Sequence, residues 1–173
     1  ITQMAKGLVG DPRMAVGLEQ SALDNVTLIV RPDWYLHTSS SLPTTGGPWE
    51  VHIGLKRMPW GGKYPSKQHY WGQIKGTIFH EIYEAQLVDA GTPKRSEGFA
   101  DAQFLATAAE IENAEAFGIA DDPTFANGIA DRTVGLLGPG MVLDNPSIMD
   151  ALVRSYESLR ERHGLGPLGG MSR

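Results

Sequence analysis

The chain has 173 residues and a formal net charge of -5 at pH 7, and it contains no cysteine. Its length and its 41% of hydrophobic residues suit one globular domain with a packed core. The absence of cysteine excludes disulfides, thiolate zinc sites and a cysteine nucleophile. The negative charge argues against nucleic-acid binding, because phosphate contacts need clustered lysine and arginine.

No stretch of the sequence is typical of a membrane-spanning or targeting segment. Every apolar run is shorter than the roughly 20 residues that a membrane helix needs, and no secretory signal is recognised at the start. We therefore expect a soluble chain that does not bind membranes. The sequence indicates neither its compartment nor its oligomeric state.

The first third of the chain is predicted to contain one short helix and two strands. Residues 11–24 favour a helix. Residues 26–31 are rich in β-branched side chains and predict a strand that continues after a bend at Pro32. A loop is expected at 38–48. Residues 49–56 alternate between apolar and polar side chains, which is the pattern of a half-buried strand.

Two adjacent helices are predicted in the middle of the chain. Residues 68–90 form the first, because an apolar stripe recurs at helical spacing. Gly91 is placed to end this helix, and Thr92 is a suitable cap for a second helix that extends to about Phe117. The stripe of the first helix consists of Trp71, Ile74, Ile78, Ile82 and Ala85.

The remaining residues predict a loop, a third helix and a tail. The loop covers 118–146, the helix covers about 145–163, and the tail at 164–173 reads as flexible coil. We therefore predict a single domain over residues 1–163. Strands that precede helices along the chain predict an α+β fold with a small mixed or antiparallel sheet packed on the helices.

The first of the two middle helices carries side chains suited to bind a divalent metal ion. His80 and Glu84 are four residues apart, so they project from one face, roughly opposite the apolar stripe. Neutral imidazole and carboxylate oxygen are both ligands for zinc and similar ions. Glu81 points in a different direction, from which it could reach a metal-bound water without ligating the metal.

The second helix supplies two more carboxylates. Glu97 and Asp101 are four residues apart, on a stripe that also carries apolar side chains and is expected to face the core. Buried carboxylates without partners are costly, and a metal ion with the groups around it would satisfy them. The tight turn between the two helices lets Glu97 face His80 and Glu84.

The two motifs together resemble those of the gluzincin metallopeptidases. That family carries HExxH on one helix and ExxxD or ExxAD on the next, and this chain has HExxE at 80–84 and ExxAD at 97–101. The pattern is similar to that of HtpX-like and CAAX-prenyl peptidases. Through the residues that follow Asp101, it is also similar to that of ImmA/IrrE-type proteins. The resemblance covers about residues 70–110.

The resemblance implies a zincin-like fold and a role for each residue of the two motifs. His80 and Glu97 would be metal ligands, and Glu84 would replace the second histidine as the third ligand. Glu81 would be the general base that takes a proton from water as it attacks a peptide carbonyl. Asp101 would orient a ligand histidine by a hydrogen bond.

The implied reaction is hydrolysis of a peptide or amide bond in a peptide or protein substrate. The strand at 49–56 would pair with the extended substrate, as edge strands of zincins do. One divalent ion is implied, and zinc is expected first. Two carboxylate ligands cancel the charge of that ion, whereas a second histidine would leave it positive. The site therefore accommodates manganese or iron better than a histidine-rich site does.

Two other functions stay open from the sequence. A non-catalytic zincin-like module, for example in a phage particle or a toxin-associated protein, would keep the metal for stability. A redox enzyme with non-haem iron is suggested only by the carboxylate-rich ligand set.

An acidic residue in the first turn of a helix also favours the helix dipole without any metal. Further along the second helix, we interpret as a solvated face the residues Glu110, Glu112 and Glu115.

Overall fold

The computed structural model describes residues 1–35, 38–41, 48–56, 64–93, 101–136 and 145–165. The helices in these ranges are α1 (Thr2–Lys6), α2 (Gln20–Asp24), α3 (Lys67–Asp89), α4 (Asp101–Glu112), α5 (Ala114–Phe117), α6 (Pro123–Leu136) and α7 (Ser147–His163). The strands are β1 (Val26–Tyr35), β2 (Thr38–Ser41) and β3 (Trp49–Lys56). The fold is therefore α+β, as predicted, and mostly helical.

The three strands form one mixed sheet with β3 at its centre. β1 runs parallel to β3 on one side, and β2 runs antiparallel to it on the other side, with Thr38 opposite Ile53. The loop predicted at 38–48 is thus wrong over β2. Because β3 is paired along both of its sides, the prediction that residues 49–56 pair with an extended substrate is also wrong.

Helix α3 confirms the helix predicted at 68–90. Ser66 begins it, since its hydroxyl accepts a hydrogen bond from the backbone N–H of His69. Gly91 follows its C-terminal end with a φ of 101°, a conformation that suits glycine. The apolar side chains that it buries completely include Ile74, Ile78, Phe79 and Ile82.

Helix α3 lies at the centre of the fold. It contacts the sheet through β2 and β3, and it also contacts α1, α2, α4 and α5. These neighbours bury more than one face of the helix, so His80 and Glu84 are buried as well as the isoleucines. Trp71 departs from its predicted burial, because 37% of it is exposed.

The second predicted helix, Thr92 to about Phe117, is interrupted at Asn113. Thr92 and Pro93, which were predicted to begin it, are not helical, residues 94–100 lie outside the described ranges, and Asn113 separates α4 from α5. The side chain of Asn113 is buried and pairs with the backbone of Val16. Its Oδ1 accepts a hydrogen bond from the Val16 N–H at 3.0 Å, and its Nδ2 donates to the Val16 carbonyl at 2.8 Å. These bonds hold the N-terminal segment against the helices.

Residues 118–146 were predicted to form a loop, but part of this stretch forms helix α6. Asp122 caps this helix, because its Oδ1 accepts a hydrogen bond from the Thr124 N–H at 2.9 Å. Pro123 occupies the first helical position, where a missing N–H is not needed. α6 contacts both α4 and α7, so residues predicted to lie in a loop belong to the helical layer instead.

The C-terminal helix agrees with the prediction, whereas the N-terminal helices differ from it. Near the C-terminus, α7 confirms the helix predicted at 145–163, and Gly164 ends it in the left-handed conformation. Most of the predicted tail, residues 166–173, lies outside the described ranges. Near the N-terminus, the helix predicted at 11–24 is confined to α2, and α1 was not predicted. Within the described part of the chain, no helix is long and apolar enough to cross a membrane.

Candidate metal centre

His80 and Glu84 lie one turn apart on α3, on a face that is packed inside the protein. His80 is 3% exposed and Glu84 is 4% exposed. The Nε2 atom of His80 lies 3.8 Å from Oε2 of Glu84. Glu81, between them in sequence, is also buried. The structure therefore brings together the first two predicted ligands and keeps them away from bulk water.

The other ring nitrogen of His80 contacts a carboxylate on the neighbouring helix. Its Nδ1 lies 3.1 Å from Oε2 of Glu110, which belongs to α4 and is 2% exposed. The guanidinium Nη1 of Arg132, on α6, donates to the same oxygen and lies 3.4 Å from Nδ1. Glu110 thus corrects its interpretation as a solvated residue, while Glu112 and Glu115 are exposed as expected.

The charge state of Glu110 determines which nitrogen of His80 carries the proton. Burial alone would raise the pKa of this carboxyl, but the charge of Arg132 and the hydrogen bond from His80 outweigh burial and bring the pKa to about 2. An ionised carboxylate only accepts hydrogen bonds. His80 therefore donates through Nδ1–H, and in a neutral ring this bond places the lone pair on Nε2.

The distance between His80 Nε2 and Glu84 Oε2 is compatible with two ligands of one metal ion. In a tetrahedral site with bonds of about 2.1 Å, two donor atoms lie about 3.4 Å apart, close to the 3.8 Å between His80 Nε2 and Glu84 Oε2. A carboxylate that accepts the other imidazole proton is the usual support of a metal-binding histidine. The amide nitrogen of Gln103 lies 2.8 Å from Nε2 and donates to it, so a metal ion would displace this amide.

The second predicted motif is described only at its last residue. Glu97 lies outside the described residues. Asp101 is 1% exposed, and its Oδ2 accepts a hydrogen bond from the Asn145 N–H at 2.9 Å. The bond to a ligand histidine that was predicted for Asp101 is made at Nδ1 of His80 by Glu110. Among the described residues, no three histidine, aspartate or glutamate side chains are grouped to hold a metal ion.

No protein-family model, curated protein or solved structure matches the chain. The function of the centre is therefore inferred from its own side chains. The pair His80 and Glu84 supplies two donors on one rigid helix, and the predicted third donor, Glu97, precedes α4. Glu81 and Glu84 on α3 and Glu110 on α4 are all buried acidic residues.

Three side chains of the centre were not predicted from the sequence: Gln103, Glu110 and Arg132. A signal for the first two exists, because Gln103, Thr107 and Glu110 recur at helical spacing and form a polar stripe on an otherwise apolar helix. Thr107 is fully buried on this stripe. Arg132 had no such signal, since it falls within the stretch predicted as a loop.

Proposed function

We propose that this domain is a metal-dependent hydrolase of the gluzincin type, which attacks a peptide or amide bond with water. The observation that carries the proposal is the state of His80. Its Nδ1–H is held by the buried carboxylate of Glu110, and Oε2 of Glu84 lies 3.8 Å from its Nε2. A histidine with this tautomer and this neighbour is prepared to bind a metal ion.

His80, Glu84 and Glu97 would hold one divalent ion, with zinc as the first expectation and manganese or iron as alternatives. When bound, the ion would polarise the scissile carbonyl and increase the acidity of water. Glu81 is the proposed general base. Glu81 follows His80 in the chain and is buried on the same helix, and a positioned glutamate is a common general base. Asp101, whose Oδ2 accepts from the Asn145 N–H, would hold α4 against the residues that precede α7.

The sheet offers a different strand for an extended substrate than the one predicted. β2 lies on the outer side of β3, runs antiparallel to it and contacts α3. In the described part of the chain, β2 pairs with β3 alone, so its other side presents backbone groups next to the helix that carries the motif. We propose that a peptide substrate pairs with residues 38–41.

A second candidate function is a non-catalytic metal-binding module. The observation that favours it is the hydrogen bond from Gln103 to Nε2 of His80, which satisfies the ring without a metal ion. The two carboxylate ligands also cancel the charge of a divalent ion, and a neutral centre activates water less than a positive one. In that case the metal would stabilise the fold, and Glu81 would have no chemical role.

The metal content of the purified protein distinguishes the two metal-binding proposals from a cluster of buried polar side chains that binds no metal. The full chain is purified without added metal and measured by elemental analysis, before and after exposure to zinc, manganese or iron(II). We expect about one ion per chain, lost in the double variant Glu84→Ala, Glu97→Ala. The matched control, Glu112→Ala with Glu115→Ala, removes two exposed carboxylates and should leave the metal in place. A wild-type chain that binds no ion after reconstitution would overturn both metal-binding proposals.

Catalysis is tested with Glu81→Gln in the metal-loaded protein. This variant keeps the size of the side chain and should keep the metal, but it removes the base. We expect the rate of hydrolysis of a mixed peptide library to fall about 100-fold or more. Full activity in Glu81→Gln would exclude the proposed mechanism. A metal-loaded wild type that cleaves no peptide would favour the non-catalytic module.

A further inference from the structure

The guanidinium of Arg132 reaches the buried carboxylate that supports His80. Nη1 of Arg132 donates to Oε2 of Glu110 and lies 3.4 Å from Nδ1 of His80. The Arg132 side chain is 32% exposed, whereas that of Glu110 is 3% exposed. A cation that lies partly in solvent therefore extends inward to the one oxygen that also accepts the imidazole proton.

We infer that Arg132 is a positioning residue of the metal centre, which acts through Glu110 to keep His80 in the tautomer that binds metal. This inference rests on the proposed function. Arg132 has only hydrogen-bond donors, so it cannot accept the Nδ1 proton of His80. Both groups donate to Oε2 of Glu110, and the second donor helps to hold this oxygen beside Nδ1.

The consequence of losing Arg132 follows from the geometry of Glu110. Without the guanidinium, the carboxylate has one described partner fewer and can rotate away from Nδ1. The two neutral tautomers of His80 then mix, and the form with its proton on Nε2 has no lone pair there to bind a metal ion. Loss of a group that supports a ligand histidine in this way typically weakens metal binding 10- to 100-fold.

A salt bridge between α4 and α6 that only stabilises the fold is the ordinary alternative. That role would make Arg132 important for the unfolding temperature and irrelevant to the proton position on His80. The two roles therefore separate in a spectroscopic measurement that reads the imidazole itself.

The first test reads the tautomer of His80 in the full chain, freed of metal by a chelator. Histidine nitrogens are labelled with ¹⁵N and followed in long-range ¹H–¹⁵N spectra at neutral pH, with His80 assigned by the loss of its signals in His80→Gln. In the wild type we expect a pyrrole-like shift at Nδ1 and a pyridine-like shift at Nε2. Arg132→Met should move both shifts toward averaged values. Arg132→Lys, which keeps a charged donor, should restore most of the wild-type pattern.

The second test measures zinc affinity by competition with a coloured chelator. Arg132→Met should bind zinc 10- to 100-fold more weakly than the wild type. The matched control is Arg154→Met, which removes an exposed arginine from α7 and should change neither readout. If Arg132→Met does not fold, Arg132→Gln carries the test, because it removes the charge and keeps an amide donor; the same direction of change is expected.

The outcomes distinguish this inference from the proposed function. An unchanged His80 tautomer in Arg132→Met, or in Arg132→Gln where that variant is needed, with zinc affinity within twofold of the wild type, overturns the positioning role even if the wild type binds metal. A wild type that binds no metal overturns the proposed function, and a shifted tautomer in the variant would still establish that Arg132 controls His80.

Discussion

Each ring nitrogen of His80 has a different kind of partner. Nδ1 donates to a carboxylate that is fixed by a cation, and Nε2 accepts from the amide of Gln103. The first contact would prepare the ring for the proposed metal ion, and the second contact would compete with that ion. Because both partners are on α4, the position of that helix against α3 determines both effects at once.

At the scale of single residues, removing the Gln103 amide should strengthen metal binding at His80. In Gln103→Ala, Nε2 of His80 loses a hydrogen bond that any metal ion must replace. A net hydrogen bond contributes about 1 kcal/mol, which corresponds to about fivefold in an equilibrium constant. We therefore expect Gln103→Ala to bind zinc about fivefold more tightly than the wild type. Competition with a chelator measures the change.

The control for this prediction is Gln86→Ala, a truncation on α3 whose amide contacts the backbone N–H of Glu19 instead of His80. It should leave zinc affinity unchanged. Weaker zinc binding in Gln103→Ala would contradict the prediction. It would indicate that the amide rotates and that its carbonyl oxygen joins the metal ligands.

At the scale of the elements, α3 depends on a close approach to the C-terminal end of α5 and the residues just after it. A Cβ atom on Gly72 would lie 2.5 Å from the carbonyl oxygen of Phe117 and 2.5 Å from Cγ2 of Ile119. One turn later, a Cβ atom on Gly76 would lie 3.4 Å from Oε1 of Glu110, which is ordinary contact. The two glycines thus occupy similar places on one helix, and only the first has no room for a methyl group.

This difference predicts opposite results for two alanine variants. Gly72→Ala places a methyl group against the backbone carbonyl of Phe117. This clash should lower the free energy of unfolding by about 2 kcal/mol. Gly76→Ala fits and gains helix propensity, so its stability should stay within about 1 kcal/mol of the wild type. Urea unfolding followed by circular dichroism measures both. Equal loss of stability in the two variants would show that the approach at Gly72 is not a rigid constraint.

The elements that the sequence predicted well are those whose local signals agree. α3 and α7 have an apolar stripe at helical spacing and a glycine directly beyond the helix, so their extents follow from nearby residues. β2 was missed because its serine-rich sequence has weak strand preference and is fixed by pairing with β3. α6 was missed although Asp122 and Pro123 are a recognisable helix start, because the glycines around it favoured a loop.

The candidate site likewise contains some residues that local sequence patterns predicted and others that they did not. His80 and Glu84 meet because a helix places residues four apart on one face, so local spacing predicted their pairing. Glu110 and Arg132 reach His80 from 30 and 52 residues away, through the packing of three helices. No local pattern specifies such contacts. The polar stripe on α4 does not by itself predict that Glu110 is buried. That conclusion also requires knowing that this stripe of α4 packs against α3.

For the whole molecule, the buried acidic centre links folding to pH. The pKa of Glu110 is lowered from 4.5 to about 2 in the folded chain, so the fold favours the ionised form of this carboxylate. Its contribution to stability is complete above about pH 5 and is lost as the pH falls through 4.5 toward 2. Since Glu110 is buried, water does not screen this contribution, and a shift of this size corresponds to about 3 kcal/mol.

Acid unfolding of Glu110→Gln tests this link. The variant should be less stable than the wild type at pH 7, because Arg132 and His80 lose their charged partner, but the difference should shrink by about 3 kcal/mol between pH 5 and pH 2. Urea titrations at pH 7, 5, 3 and 2 measure the two free energies of unfolding. Glu115→Gln, an exposed position on α5, should follow the wild-type curve closely. Parallel curves for Glu110→Gln and wild type would contradict the prediction, because they would mean that Glu110 has the same pKa in the folded and unfolded chains.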